Sequence, residues 1–421
     1  MEILIRNAEI ICESSPYHGK TVDIRISDGK IKDIGSNLSA GKIPVIEGNK
    51  LYATIGLCDI GSHTGEPGFE QRESLQSLSE SALAGGYTHL FTFPDTKPVI
   101  QTRTDVHYLQ EQSEHYGIHI SPIGALSKDC KGDDISEFMD MHSLGVRCFS
   151  DGMKSVKSSG LLKRALQYAS GIGAMVLNHP EDSELSYHGE MHEGKTSTGL
   201  GLPGVPEVAE ISMLHRDVIL TKYTGGRLIS HTISCAESVE MIKNETASGT
   251  DIQATVAYLN LIFTDESLNQ FDSNLKVKPV LRSISDQTQL IKGINDGVIK
   301  VLVSNHTPLE EELKKVEFTY ATPGATGLET CLPACLTYLR DKIEIQTIIN
   351  CLTTGPRKMM GIPVPVIDKG ANAELCIFDA DESYSYTHAH NKSLSTNNPF
   401  FGTSFNSRIK ATFNGSRYYI A

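Results

Sequence analysis

No window of the chain approaches the run of about 18 uninterrupted apolar residues that a membrane-spanning helix needs, so no such span is expected. A basic excess is also missing. The 38 Lys and Arg are outnumbered by 51 Asp and Glu, for a formal net charge of −13. Nucleic acid and anionic membrane surfaces both call for a basic face, so neither is expected as a partner. A disulfide framework is absent too. The nine Cys are odd in number and irregularly spaced, at 12, 58, 130, 148, 235, 331, 335, 351 and 376, as reduced and mostly buried thiols are. The opening stretch MEILIRNAEIICESS has no basic segment followed by an apolar run and a small-residue cleavage site. No signal peptide is expected, and the protein is expected in the cytoplasm. There is no repeat with a period of about 20–50 residues and no low-complexity segment.

What is present describes a chain with a large core. Hydrophobic residues make up 39% of the 421 and charged residues 21%, a globular rather than a disordered balance. The two ends read as β-structure. Val22, Ile24 and Ile26 alternate, and SDGK then turns the chain into a second strand. Near the C-terminus, AELCIFDAD and RIKATFNGSRYYI carry the same pattern, with NGS as a turn. The middle alternates short branched-apolar runs (THLFTFP, GVRCFSD, GAMVLNHPED, RLISHTIS, IKVLVSNHTP) with helical patterns, at a spacing that predicts parallel strand–helix–strand units. The expected fold is α/β: a (β/α)₈ barrel over residues 54–360. A small β-sandwich is expected from residues 1–53 and 361–421, which would bring the termini together.

Chemistry in such a barrel belongs at the C-terminal ends of the strands. The polar residues that follow the apolar runs are Asp59 and His63, Pro94-Asp95-Thr96, Ser150-Asp151, His179 with Glu181-Asp182, His231, and Asn305-His306. Of these, His63, Asp151, His179 and His231 are candidate metal ligands, since imidazole and carboxylate suit Zn²⁺ and similar divalent ions. No one of them is persuasive alone; the case is that four fall at successive strand ends.

Several stretches make the chain resemble the dihydroorotase-type cyclic amidohydrolases: GLCDIGSHTGEPG, NHPED, HEGKTSTGLGLPGVPEVAE, ISHTISCAESVEMIK, SNHTPLEEELKK and GATGLETCLP. The resemblance covers nearly the whole chain. It implies a (β/α)₈ barrel with one or two zinc ions and a small terminal β-domain. In that family the metals polarise the ring carbonyl and acidify a bound water. An Asp at the end of the eighth strand takes the proton from that water, and an Arg with Asn residues holds the substrate carboxylate.

Carried over residue by residue, the resemblance is incomplete. The first-strand pattern of His-x-His followed by Arg-Glu-Pro-Gly reads Gly61, Ser62, His63, Thr64, Gly65, Glu66, Pro67, Gly68 here. A metal ligand and the carboxylate-binding Arg are thus replaced by Gly61 and Gly65. The bridging carboxylate falls on Asp151, and the fifth- and sixth-strand ligands on His179 and His231. The base position holds Asn305, a substrate-contacting His is Leu309, and two substrate-facing Asn are Asp95 and Lys278. Asp95 and Lys278 are therefore candidate substrate contacts, and their opposite signs suggest that they pair across the pocket.

These replacements carry a chemical expectation. An amide cannot take a proton near neutral pH, and loss of a general base typically costs about 10²–10⁴-fold in rate. Loss of ligands should weaken metal binding by more than the roughly 10–100-fold of an outer-shell change. The expected cofactor load is zero or one zinc per subunit. The expected protein is a dihydroorotase-family member impaired in cyclic-amide hydrolysis, acting as a structural partner of aspartate transcarbamoylase and itself a homodimer. Two alternatives stand beside it: an active dihydroorotase or related cyclic amidase hydrolysing a C–N bond with a reduced, single-metal site, and a module that binds an acidic small molecule without turning it over.

Overall fold

The computed structural model describes residues 2–421. Among them, eight parallel strands form the central barrel: Leu57–Ser62, Tyr87–Thr92, a third strand broken at Ile123 into His119–Pro122 and Gly124–Ala125, then Cys148–Ser150, Met175–Asn178, Leu228–Ser230, Ile252–Ala257 and Val301–Val303. The strands read as near-continuous apolar runs because both faces are covered, by helices outside and by barrel filling inside. The filling includes Cys58, Ile60, Phe91, Phe93, Ile123, Leu177, Ile229 and Val303. The helices start where the sequence supplies caps. Ser74 and Thr102 close capping boxes on helices Leu75–Ala84 and Arg103–Ser113, and Ser158 caps Ser159–Gly171.

The barrel closes between its eighth and first strands through a side chain. The buried Asp59 carboxylate accepts hydrogen bonds from Ser304 N (2.8 Å), Ser304 Oγ (2.6 Å) and Ser62 Oγ (2.5 Å). His63 N adds a bond to His306 O at 2.9 Å. Burial pushes the Asp59 carboxyl up, against the pull of these donors. A residue on the list of polar strand ends is thus a fastener of the frame.

The terminal sheet runs in the order Arg417–Ile420, Arg408–Asn414, Glu374–Asp379, Leu51–Ile55, Glu2–Ile11, Thr21–Ser27, Lys30–Gly35, with Val45–Ile46 beside Glu2–Ile11. The hairpin read from SDGK turns at Asp28 and Gly29, whose φ values are 53° and 73°. A Cβ on Gly29 would lie 2.6 Å from the Gly415 carbonyl carbon, so the hairpin tips at the two ends of the sheet touch. The sheet therefore folds over a core of its own, including Ile3, Ile5, Ile24, Ile26, Ile377 and Phe413. Residues 393–398 leave this sheet and bind the barrel. Asn397 accepts from Leu309 N (3.2 Å) and donates to Thr307 O (2.9 Å), while Asn398 donates to Thr326 O (3.1 Å). All nine cysteines are buried and unbridged. No helix among the described residues is long and apolar enough to cross a membrane.

Candidate active site

The barrel mouth divides into a well-ordered side and a filled side. On the fifth strand, His179 is clamped by Ser155, whose hydroxyl donates to His179 O and accepts from Glu181 N at 2.9 Å. The His179 Nδ1 donates to His231 O at 3.1 Å. A carbonyl only accepts, so Nδ1 carries a proton. His231 is held through Nδ1 by Thr255 Oγ1 at 3.1 Å. Both Nε2 atoms are buried without a hydrogen-bond partner. Burial, with the nearby His179 and His63 charges adding to it, drives His231 well below the usual histidine range, so its ring is neutral.

The first and eighth strands are arranged otherwise. A Cβ at Gly61, whose φ is +85°, would lie 2.7 Å from Phe93 Cζ and 2.8 Å from His231 Cε1 and Nε2. The space a histidine side chain would leave through is already taken. At Gly65 a Cβ would overlap Phe69 O and Glu73 O and lie 2.7 Å from Glu73 N. The loop after the first strand has closed onto that position, and no arginine side chain can start there. Asn305 donates through Nδ2 to Lys278 O at 2.9 Å, and its Oδ1 is buried and unbonded. Leu309, 5% exposed, is an apolar wall where the resemblance places a histidine. His306 belongs to the frame: Nδ1 accepts from Gly327 N at 3.1 Å, and Nε2 faces the buried Glu73 carboxylate at 3.3 Å.

The four residues nominated as metal ligands do not converge on one point. Both Asp151 oxygens are committed to Ser127, to its N at 2.8 Å and its Oγ at 2.5 Å. Burial raises the Asp151 carboxyl against those bonds. His63 Nδ1 is paired with Asp95 Oδ1 at 3.2 Å. Among the described residues, the one group of three with ligating atoms all within 4.8 Å of one another lies elsewhere, at His192, Glu207 and Asp286. This is a candidate metal-binding triad, but its donors are in use. Arg282 Nη1 donates to His192 Nδ1 at 3.3 Å, which leaves the proton on Nε2, and Asp286 accepts from Ala236 N at 2.9 Å and Ser283 Oγ at 2.5 Å. At the mouth, the two imidazoles of His179 and His231 present buried Nε2 atoms without a hydrogen-bond partner, one short of the usual three protein ligands. The residues present do not fit a two-zinc centre.

The expected Asp95–Lys278 pair is not formed; each has another partner. Asp95 takes His63, as above, and Lys278 Nζ lies 2.8 Å from Glu181 Oε1. Burial opposes ionisation of both carboxyls, yet His63 holds Asp95, and His179 with Lys278 holds Glu181, below the ordinary carboxylate range. Glu181, in the sequence one of the polar residues after His179 in NHPED, joins the site through this pair. Arg72 carries no comparable signal in the sequence. It stacks on Phe69, 4.6 Å from its carbon to the ring centroid, and Nε pairs with Glu310 at 2.7 Å. Arg72, His63, Asp95, Lys278, Phe69 and Leu309 are among the residues that line a cavity of about 260 Å³. A second cavity, of about 370 Å³, is lined by Asp151, Lys154, Glu181 and again Lys278, among others.

Comparison with known proteins agrees with this architecture. A family described as dihydro-orotase-like matches residues 51–238. The chain is 33% identical over 418 residues to a protein named dihydroorotase from Syntrophus aciditrophicus, covering 98% of this chain and 97% of that one. It is 35% identical over 422 residues to a dihydroorotase from Pelotomaculum thermopropionicum, covering 99% and 98%. In fold it is similar to L-hydantoinase (dihydropyrimidinase) from Arthrobacter aurescens, with a TM-score of 0.85 at 22% identity over 99% of this chain and 95% of that one. Dihydropyrimidinase from Brevibacillus agri NCHU1002 follows with a TM-score of 0.80 at 20% identity, covering 100% and 95%. On sequence likeness over nearly its whole length, with the same barrel and terminal β-domain fold, this chain belongs to the dihydroorotase family.

Proposed function

We propose that this protein keeps the dihydroorotase-family frame and pocket but does not hydrolyse cyclic amides, and serves instead as a non-catalytic partner of aspartate transcarbamoylase. Gly61 is the observation that carries the first half. A Cβ there would meet Phe93 and His231 at 2.7–2.8 Å, so the first-strand ligand position is built over rather than merely unfilled. The supply of bases agrees. Asn305 is neutral, Asp95 is paired with His63, Glu181 with Lys278, and Asp151 with Ser127. None is a free carboxylate beside a water-activating ion. The partnership rests on the family alone.

The test is a hydrolysis assay on zinc-supplemented protein with dihydroorotate, hydantoin and dihydropyrimidine substrates, beside co-purification with aspartate transcarbamoylase. Background rates and a stable complex are expected. Zinc-dependent turnover that disappears in His179→Ala would overturn the first half, and failure to associate at micromolar concentrations the second. The buried Nε2 atoms of His179 and His231, without hydrogen-bond partners, favour one competing reading, a single-metal amidase, and the same assay decides between the two.

A further inference from the structure

We propose that the Lys278 ammonium stands at the barrel mouth in place of a metal ion, engaging one oxygen of Glu181 beside His179 and so keeping the site free of divalent metal. This rests on the reading that the mouth is not a hydrolytic metal centre.

Lys278 is fixed at two points. Its carbonyl accepts from Asn305 Nδ2 at 2.9 Å, which ties its backbone to the end of the eighth strand. Its Nζ lies 2.8 Å from Glu181 Oε1, with side chains 35% and 14% exposed. Because it lines both the 260 Å³ and the 370 Å³ cavities, it is part of the partition between them. On the far side of the same carboxylate, Glu181 Oε2 lies 3.8 Å from His179 Nε2, within ion-pair range but longer than a hydrogen bond. The His179 and His231 Nε2 atoms are buried without a hydrogen-bond partner. Two imidazoles and one carboxylate would meet the three-ligand minimum for zinc. They do not gather: no trio at the mouth has all its ligating atoms within 4.8 Å of one another.

The physical reason is competition for one carboxylate. An ammonium is a compact point charge. In a partly buried site it repels a dication strongly, and Glu181 cannot satisfy both. Removing the ammonium would leave both Glu181 oxygens free for a divalent ion beside His179, and would remove the repulsion as well.

The experiment measures metal content per chain and melting temperature, with added zinc and with chelator, on the full-length protein and on Lys278→Met. The parent is expected to hold no stoichiometric zinc and to melt at the same temperature in both conditions. Lys278→Met is expected to take up about one zinc per chain and to melt several degrees higher with zinc than with chelator. That gain should vanish in Lys278→Met/Glu181→Gln and in Lys278→Met/His179→Ala. Lys278→Arg, which keeps the charge, should stay metal-free.

One zinc in the parent, lost on His179→Ala, would overturn the proposal. So would a folded Lys278→Met that takes up none. Lys278→Gln repeats the test with a polar side chain. If both neutral variants are unfolded with and without zinc, that also counts against the proposal, which requires the pocket to keep its shape without the ammonium. The outcomes separate this inference from the functional reading. Zinc in the parent without turnover removes the Lys278 assignment alone. Turnover by metal-free parent removes the functional reading and leaves Lys278 where it is.

Discussion

The two sides of the barrel mouth are packed differently. At the fifth and sixth strands, His179 and His231 keep orienting hydrogen bonds to a carbonyl and a threonine, with both Nε2 atoms bare. At the eighth and first strands, Phe93 and His231 fill the place above Gly61, the loop closes on Gly65, and Asn305 is tied to the Lys278 backbone. The seam of the frame at that second side carries three donors on Asp59. On the proposed reading, the difference between the two sides is one of packing: a side chain added at Gly61 has to move Phe93 or His231 before it can enter.

Gly61→His gives the largest expected effect. The new side chain must displace Phe93 or His231 and must also adopt a φ of +85°. Overpacking and left-handed backbone strain together should cost on the order of 3–5 kcal/mol, read from urea denaturation, with no gain of zinc. A well-folded Gly61→His that binds metal would erase the distinction between the two sides.

Asn305→Asp should do less. It exchanges an amide that donates to Lys278 O at 2.9 Å for a carboxylate facing that carbonyl. The lost bond and the new repulsion should cost about 1–3 kcal/mol, and hydrolysis should stay at background because a base without a metal-bound water has nothing to activate. Turnover in this single variant would mean that the filled side lacks only its base.

How far the sequence anticipated this depends on where each partner lies. The barrel could be read because apolar runs of branched residues recur with polar residues at their ends, which put His179 and His231 at the mouth. The replacements at Gly61, Gly65, Asn305 and Leu309 were visible by position. What filled them was not. Phe93 reaches over Gly61 from the neighbouring strand. Asp151 turns to Ser127 across from the third strand, which is broken at Ile123. Asp59 bonds to Ser304 over a separation of 245 residues. Lys278 and Asp95 were noticed for their opposite charges, but closer groups, Glu181 and His63, had the stronger claim on each. Charge sign can be read from a sequence, whereas the choice among partners is made by distance.

The intact side can be sharpened by pH. His231 is neutral when folded, with its proton affinity pushed well below the ordinary value, chiefly by burial. Below about pH 6.5 the unfolded chain takes up a proton there that the folded chain refuses, so stability is full above that pH and falls as the pH is lowered. The slope from this one group is at most about 1.4 kcal/mol per pH unit. His231→Gln should flatten the decline between about pH 6.5 and 5 by roughly 1 kcal/mol, measured as the difference between parent and variant denaturation midpoints. Buried carboxyls such as Asp59 and Asp151, raised by burial, act in the opposite direction. They are common to both proteins and drop out of the difference. Parallel curves would mean that His231 is protonated in the fold, and so is not a bare lone pair waiting for a ligand.

Asp95→Asn gives the smallest expected effect, and it asks how firmly the filled side is held. The Asp95–His63 pair spans 3.2 Å with side chains 28% and 18% exposed, and His63 packs on Phe93 with centroids 5.0 Å apart. Because the folded carboxyl lies below its ordinary range, its contribution is present above about pH 4 and is lost as the pH falls through the folded value. Solvent screening of a partly exposed pair keeps that contribution under about 1 kcal/mol near neutrality. If the packing of Phe93 closes the Gly61 position, as its 2.7 Å approach indicates, the variant should unfold within that margin of the parent and remain without zinc. A loss several times larger would instead make the His63–Asp95 ion pair the clasp of the filled side, and the proper reversion experiment would then begin at Asp95 rather than at Gly61.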